Sequence, residues 1–157
     1  MKNIFALLAL IIPFCCFAQR SANRPFFDKK TVGEIRLTIP ETNWNDRLDS
    51  MRIYGMSMLE CSVTIDGESY EQAGVRFRGD KSYQYGQKRN PFVIRLDYRK
   101  RDQAHQEYPT IKLSPALRDP SMTREMLFSE IADKYVPIPQ TAYVKLYANN
   151  EYLGVFV

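Results

Sequence analysis

The sequence predicts an α+β fold, with a mostly antiparallel sheet of hairpins and one main packed helix. Several short segments alternate apolar and polar residues, which is typical of half-buried strands. The dipeptide Asp66-Gly67 separates two such segments and is a strong signal for a tight hairpin turn. One longer segment, 119–135, spaces its apolar residues as an amphipathic helix does. These three observations define the expected fold class.

The composition is that of a globular domain. Of the 157 residues, 45% are hydrophobic and 25% are charged, and the net charge is +4. These values exclude a disordered or collagen-like chain, and the length favours a single domain. Because the chain has three cysteines and one histidine, neither a disulfide scaffold nor a histidine-built metal site is expected.

The N-terminus has the pattern of an export signal. A basic start at Lys2 precedes the 14-residue apolar run from Ile4 to Phe17. A membrane-spanning helix needs about 20 residues, whereas a secretory signal needs fewer. We expect cleavage after Ala18. A lipoprotein anchor on Cys15 or Cys16 is the alternative.

We divide the chain into three predicted parts, of which cleavage removes the first. Residues 1–18 are the predicted signal peptide, 19–31 an exposed leader, and 32–157 the folded domain. The protein is therefore expected to be secreted or to lie in the cell envelope, without stable membrane insertion after cleavage. The sequence does not predict its oligomeric state.

The strands are predicted from their alternation. In the first one, Ile35, Leu37 and Ile39 share the apolar face. In the second, Cys61 falls in the apolar phase and is expected to be a buried small hydrophobe rather than a nucleophile. The predicted strands are Val32–Ile39, Leu59–Ile65 with a return through Tyr70, Gly74–Arg78, Pro91–Tyr98, Thr110–Leu113, and a final hairpin of Tyr143–Tyr147 with Glu151–Val157.

Two helices are predicted. Thr42 is expected to cap a short helix in which Trp44, Leu48 and Met51 face the core. Asp119 and Pro120 are expected to begin the main helix, which runs to about residue 135. Its predicted core stripe is Leu127, Phe128, Ile131, Ala132 and Tyr135.

Between the strands, the polar stretch 99–106 is predicted to be a surface loop. It holds the one histidine of the chain, His105. A loop histidine with its hydrogen bonds satisfied is expected there, and not a metal ligand.

Positive charge is concentrated in residues 76–101, which hold nine basic and two acidic side chains. Arg76 and Arg78 share one face of a strand that leads into a loop containing Gly79 and Ser82. Guanidinium groups and glycine-loop amides suit a phosphate, and a solvated basic strand is the alternative. Tyrosines interleave with the cations, as in proteins that bind single-stranded nucleic acid. The predicted export signal argues against nucleic acid as a partner.

Standard nucleotide and hydrolase signatures are absent from the sequence. It has no GxxxxGK[ST], GxGxxG, HRD or DFG motif, and no HExxH or GxSxG. The residues alone therefore predict an exported α+β domain with a loop that attracts anions.

Five blocks of sequence resemble the CotH (spore coat protein H) kinase family. They follow one another with the family's order and similar spacing, and the resemblance covers 32–157. The blocks are Gly74–Ser82, Asn90–Asp97, Lys112–Ser114, Asp119–Glu125 and Tyr147–Gly154.

The resemblance implies the N-terminal lobe of an atypical protein kinase that transfers phosphate from ATP to protein serines with a divalent metal such as magnesium. Glu125 is then a candidate ion-pair partner for a phosphate-binding cation, or it only supports the start of its helix. Arg89 stands where the family often has a lysine. The implied phosphate-binding candidates are Arg76, Arg78, Gly79, Ser82, Lys88 and Arg89.

The family's catalytic and metal-binding aspartates lie C-terminal to the final hairpin, where this sequence stops. No residue is therefore assigned as catalytic base or metal ligand, and we expect a truncated piece without kinase activity of its own. Two alternatives remain. One is a non-enzymatic envelope module that binds anionic polymers through the basic loop, and the other is a fragment without independent function.

Overall fold

A computed structural model describes residues 24–55 and 57–157. The predicted signal peptide, 1–18, and the first part of the predicted leader lie outside the described residues. In the described ranges, the chain forms seven strands and two helices. Neither helix is both long and apolar enough to cross a bilayer. The elements are β1 Gly33–Thr38, α1 Trp44–Tyr54, β2 Leu59–Ile65, β3 Glu68–Phe77, β4 Phe92–Arg95, β5 Thr110–Leu113, α2 Arg124–Ala132, β6 Val144–Ala148 and β7 Glu151–Phe156.

All seven strands belong to one sheet, in the order β5-β4-β3-β2-β1-β6-β7. Five of the neighbouring pairs are antiparallel. The pair of β1 and β6, inside the sheet, is parallel, with Ile35 beside Leu146. The α+β class and the dominance of sheet agree with the prediction, but the sheet is mixed. The prediction of a mostly antiparallel sheet of hairpins does not include the β1–β6 pair, because a parallel neighbour must come from a distant part of the chain.

Two tight turns fix the registers of the hairpins. Asp66 and Gly67 both have positive φ, at 48° and 90°, as a type I′ turn requires. Asn149 and Asn150 repeat this geometry between β6 and β7, with φ of 47° and 68°. Both predicted hairpins are therefore present.

The apolar face of the sheet forms the core. Ile35, Leu37 and Ile39 are buried, as their alternation predicted. Cys61 is buried as well, so the predicted burial of this residue is confirmed. Phe92 of β4 lies between Phe77 and Phe156, with ring centroids 5.0 and 6.0 Å away. Phe156 belongs to β7 at the other end of the strand order, so the sheet curls strongly on itself.

A seam joins the two edges of the curled sheet. The amide of Ser114, just after β5, donates to the carbonyl of Val157 at 2.8 Å. The amide of Val157 donates to the carbonyl of Ser114 at 2.9 Å. Arg89 crosses this seam. Its Nη2 donates to the carbonyls of Pro115 and Val155 at 3.1 and 3.2 Å.

Helix α1 packs against β3. Trp44 and Leu48 are buried and Met51 is half-buried, so the predicted apolar face is confirmed. The residue at the cap is Asn43 rather than Thr42, and its side chain makes no capping hydrogen bond. The tertiary burial of the apolar face, rather than a capping side chain, accounts for this short helix.

Helix α2 differs from the predicted main packed helix in its start and in the face that it buries. It is nine residues long and begins at Arg124, not at Asp119. Phe128 and Ile131 of the predicted core stripe are 66% and 60% exposed, while Met126 and Ser129 are the buried residues. The periodicity of the helix was recognised, but its inward face was assigned wrongly, because both faces carry apolar residues.

Two polar regions are also less exposed than predicted. Phe26, within the predicted leader, is buried, and its amide donates to the side chain of Gln106 at 2.8 Å. His105 is buried rather than in a solvated loop, and its Nδ1 lies 2.9 Å from the hydroxyl of Tyr70. Phe26 and His105 pack edge to face, with centroids 4.9 Å apart. The N-terminal segment therefore covers the histidine.

The seam can be tested with two neighbouring substitutions of similar size. Arg89→Met removes the donors for two carbonyls, so we expect it to lower the free energy of unfolding by about 1–3 kcal/mol. Lys88→Met removes only the exposed ion pair with Glu151, which we expect to cost less than about 1 kcal/mol. Urea denaturation of both variants measures the difference. Equal losses would show that Arg89 does not hold the seam.

Candidate functional site

A cleft of about 480 Å³ lies where three segments meet. Lys81, Ser82 and Gln84 come from the loop between β3 and β4, residues 78–91, which we call the basic loop. The segment 114–119 after β5 supplies the second side, and α2 supplies Arg124, Glu125 and Phe128. The seam brings these parts together, because it fixes the start of the second segment.

Three cations line this cleft, namely Lys81, Arg118 and Arg124. Among the described residues, none of the three has an ion pair within 4 Å. The side chain of Arg118 makes one long hydrogen bond, from Nη2 to the carbonyl of Lys81 at 3.4 Å. Most of their donors therefore remain available for an anion.

Asp119 is the acidic group of the cleft with the most internal contacts. Its carboxylate accepts from the hydroxyl of Ser121 at 2.6 Å and from the amide of Arg124 at 2.8 Å. These bonds, with that of the Ser121 hydroxyl first, lower the pKa of Asp119 below its usual value. The charged carboxylate thus caps the start of α2 from five residues away, which explains why the helix begins later than predicted.

One wall of the cleft is apolar. Pro115, Ala116 and Leu117 form it on one side, and Phe128 of α2 faces the same space. Leu117 and Phe128 are both exposed. The cleft therefore combines an apolar surface with unpaired cations, which suits an amphipathic anion with a flat apolar part.

The structure places two of the seven predicted site residues in this cleft, Ser82 and Glu125. Gly79 lies three residues before Ser82 in the basic loop with φ of +82°, and a Cβ there would collide with the hydroxyl of Ser82. Glycine is needed at this position for both reasons. Glu125 makes no ion pair with any described residue.

The other predicted cations lie elsewhere. Arg76 and Arg78 are half-buried, and Arg78 donates its amide to the carbonyl of Pro91 at 2.8 Å. Arg89 crosses the seam. Lys88 pairs with Glu151 at 2.6 Å and lines a second cleft, of about 590 Å³, at the start of α1. The lining of the first cleft includes none of these four cations.

Several residues that shape the basic loop were not identified from the sequence. Asn90 is fully buried and binds the loop from inside: its Oδ1 accepts from the amide of Gln84 at 2.8 Å, and its Nδ2 donates to the carbonyls of Gln84 and Gln87, both at 2.7 Å. Asp49 and Arg52 of α1 bind the loop from outside. No local sequence pattern marks the contacts of Asp49 and Arg52, since their partners lie far apart in the chain.

Tyr83 is the central residue of these contacts. Its hydroxyl donates to Oδ1 of Asp49 at 2.6 Å, and its ring lies 6.0 Å from that of Phe77. Burial, followed by the hydrogen bond to the Asp49 carboxylate, raises the pKa of Tyr83 above its usual value. Tyr83 therefore fastens the loop to the core.

No group of three or more metal-binding side chains occurs within 24–55 and 57–157. The search covered histidine, cysteine, aspartate and glutamate. The described residues thus provide cations and an apolar wall, but they do not provide a set of protein ligands for a divalent metal.

The comparison with protein families identifies the family of this chain. The model of the family described as CotH kinase protein matches residues 75–157, just over half of the chain. The chain therefore belongs to the CotH kinase protein family. The match begins within β3 and includes the basic loop, the seam, α2 and the last hairpin, whereas β1, α1 and β2 precede it. No curated protein matches the chain.

Cys61 gives a test of the hydrophobic core. Burial raises the pKa of its thiol to about 12, and only the thiolate is a good nucleophile. In a variant with Cys15→Ser and Cys16→Ser, we expect no reaction with Ellman's reagent at pH 8 in the folded state. One thiol should react after denaturation. Rapid labelling of the folded protein would show that β2 does not bury this residue.

Proposed function

We propose that this chain contributes the nucleotide-binding part of an exported CotH-type protein kinase, and that the first cleft binds ATP. The observation that carries the proposal is the grouping of Lys81, Arg118 and Arg124, without ion pairs among the described residues, beside an apolar wall. These residues all lie within the segment that matches the family. The proposed role corresponds to the N-terminal lobe of an atypical kinase.

The two kinds of lining suit the two parts of ATP. Triphosphate oxygens accept strong charge-assisted hydrogen bonds from lysine and arginine. The hydroxyl of Ser82, which lines the cleft, supplies a further donor. The two flat faces of the adenine ring suit apolar contact, and the exposed side chains of Leu117 and Phe128 offer them a surface. In this arrangement Arg118 and Arg124 replace the more distant Arg76 and Arg78 as the main phosphate contacts.

The described residues fit ATP phosphates better than they fit a protein-bound magnesium ion. Asp119 is already bonded to Ser121 and Arg124, and Glu125 is the one other carboxylate that lines the cleft. We therefore assign to this part of the chain the binding and orientation of the nucleotide. Transfer of phosphate to a protein serine, and export through the predicted signal peptide, belong to the proposal for the kinase as a whole.

The alternative is a non-enzymatic envelope module that binds anionic polymers. The distribution of charge disfavours it, because several cations of the 76–101 segment already have partners. Lys88 pairs with Glu151, Arg95 with Asp97 and Arg99 with Glu60. The described residues therefore do not form a continuous stripe of unpaired cations, which would favour binding of an anionic polymer.

Substitution of the cleft arginines tests ATP binding. A charge-assisted hydrogen bond is worth about 1.5–3 kcal/mol, and 1.4 kcal/mol corresponds to about tenfold in affinity. We therefore expect Arg118→Ala and Arg124→Ala each to weaken ATP binding by about tenfold or more in isothermal titration calorimetry. Arg101→Ala, which removes an exposed cation outside the cleft, is the matched control and should change the affinity less than twofold.

Two results would contradict the proposal. One is an ATP affinity that is the same in all variants. The other is salt-sensitive binding to heparin that ATP does not compete for and that all three substitutions weaken equally. The second result would favour the envelope module, since it would indicate general electrostatic attraction to a polyanion rather than binding at a defined ATP site.

A further inference from the structure

The basic loop is attached to helix α1 at two points, on either side of Lys81 and Ser82. Before them, Nη2 of Arg52 donates to the carbonyl of Gly79 at 2.8 Å and to Oδ1 of Asp80 at 2.7 Å. After them, Oδ1 of Asp49 accepts from the hydroxyl of Tyr83 at 2.6 Å. The two loop residues that line the first cleft therefore lie between two fixed points.

Asp49 holds a second part of the same loop. Its other oxygen, Oδ2, accepts from the amide of Gly86 at 3.0 Å. Although Asp49 is charged, only 2% of its surface is exposed, and buried carboxylates normally require such partners. Both of its oxygens thus accept hydrogen bonds from the loop, and these bonds offset the cost of burying the carboxylate.

The helix that carries these groups is itself fixed. Asp49 and Arg52 lie three residues apart and so project from the same side of α1. Trp44 and Leu48 anchor the helix in the core. Neither Asp49 nor Arg52 lines the first cleft, so both act on it only through the loop.

We propose that Asp49 and Arg52 are positioning residues that hold Lys81 and Ser82 of the basic loop in place for the phosphates of a bound nucleotide. This inference rests on the proposed ATP site. It adds that α1, which precedes the family-matched segment, is part of the binding apparatus. A loop held in its binding conformation loses less entropy when the ligand binds, so loss of the attachment weakens binding without removing a contact to the ligand.

The test compares three substitutions on α1 in the full chain, with ATP as the probe. Asp49→Ala leaves the hydroxyl of Tyr83 and the amide of Gly86 without their acceptor. We expect at least fivefold weaker ATP binding, and at least tenfold faster hydrogen exchange of the Gly86 amide relative to that of Val75 in β3. Asp46→Ala changes an exposed acid one turn earlier on the same helix, and should alter neither value more than twofold.

The conservative variant separates positioning from simple stabilisation. In Asp49→Asn, the amide oxygen can accept from Gly86 while its NH₂ donates to the oxygen of Tyr83. We expect it to restore ATP affinity to within threefold of the wild type. If Asp49→Ala does not fold, Tyr83→Phe replaces it, because it removes one of the two bonds and leaves the ring in place. Weaker ATP binding with faster Gly86 exchange is expected there too.

The possible outcomes distinguish the two proposals. If the wild type binds ATP and Asp49→Ala or Tyr83→Phe binds it equally well, the positioning role is overturned while the ATP site stands. If Asp46→Ala weakens binding as much as Asp49→Ala, the specific role of Asp49 is likewise overturned. If the wild type binds no ATP, the proposed site fails, and the positioning role fails with it.

Discussion

The seam between Ser114 and Val157 is the constraint on which the rest of this structure depends. A seven-stranded sheet with free edges exposes two rows of unpaired backbone groups. Here the ends of β5 and β7 exchange two backbone hydrogen bonds, and Arg89 adds two more across the same line. The curl that results brings Phe92 and Phe156 together in the core. It also fixes the segment after β5 beside the basic loop.

The candidate site follows from this closure. Its cations come from three separate parts of the chain, at Lys81, Arg118 and Arg124, and they converge because the seam, the basic loop and the start of α2 meet at one end of the sheet. The site is thus built from loops on a rigid support, which is a common arrangement for binding residues. The loop is the least regular of these parts, and Asn90 and helix α1 hold it from both sides.

The sequence predicted the parts of the fold that local interactions determine. Strand alternation identified the buried positions of β1 and β2, and the pairs Asp66-Gly67 and Asn149-Asn150 identified two hairpin turns. Contacts between distant residues were not predictable in this way. Nothing local indicates that Asp49 binds Tyr83, or that Arg89 faces carbonyls. The inward face of α2 was assigned wrongly because the helix carries apolar residues on more than one face. Which of these faces is buried depends on the segments that pack against the helix.

A crystal structure with a non-hydrolysable ATP analogue tests the central claim most directly. We predict phosphate oxygens within hydrogen-bonding distance of Lys81, Arg118 and Arg124, and an adenine ring against Leu117 and Phe128. The basic loop should keep its bonds to Asp49 and Arg52. An analogue bound at another surface, such as the second cleft beside Lys88, with the first cleft empty, would contradict the account.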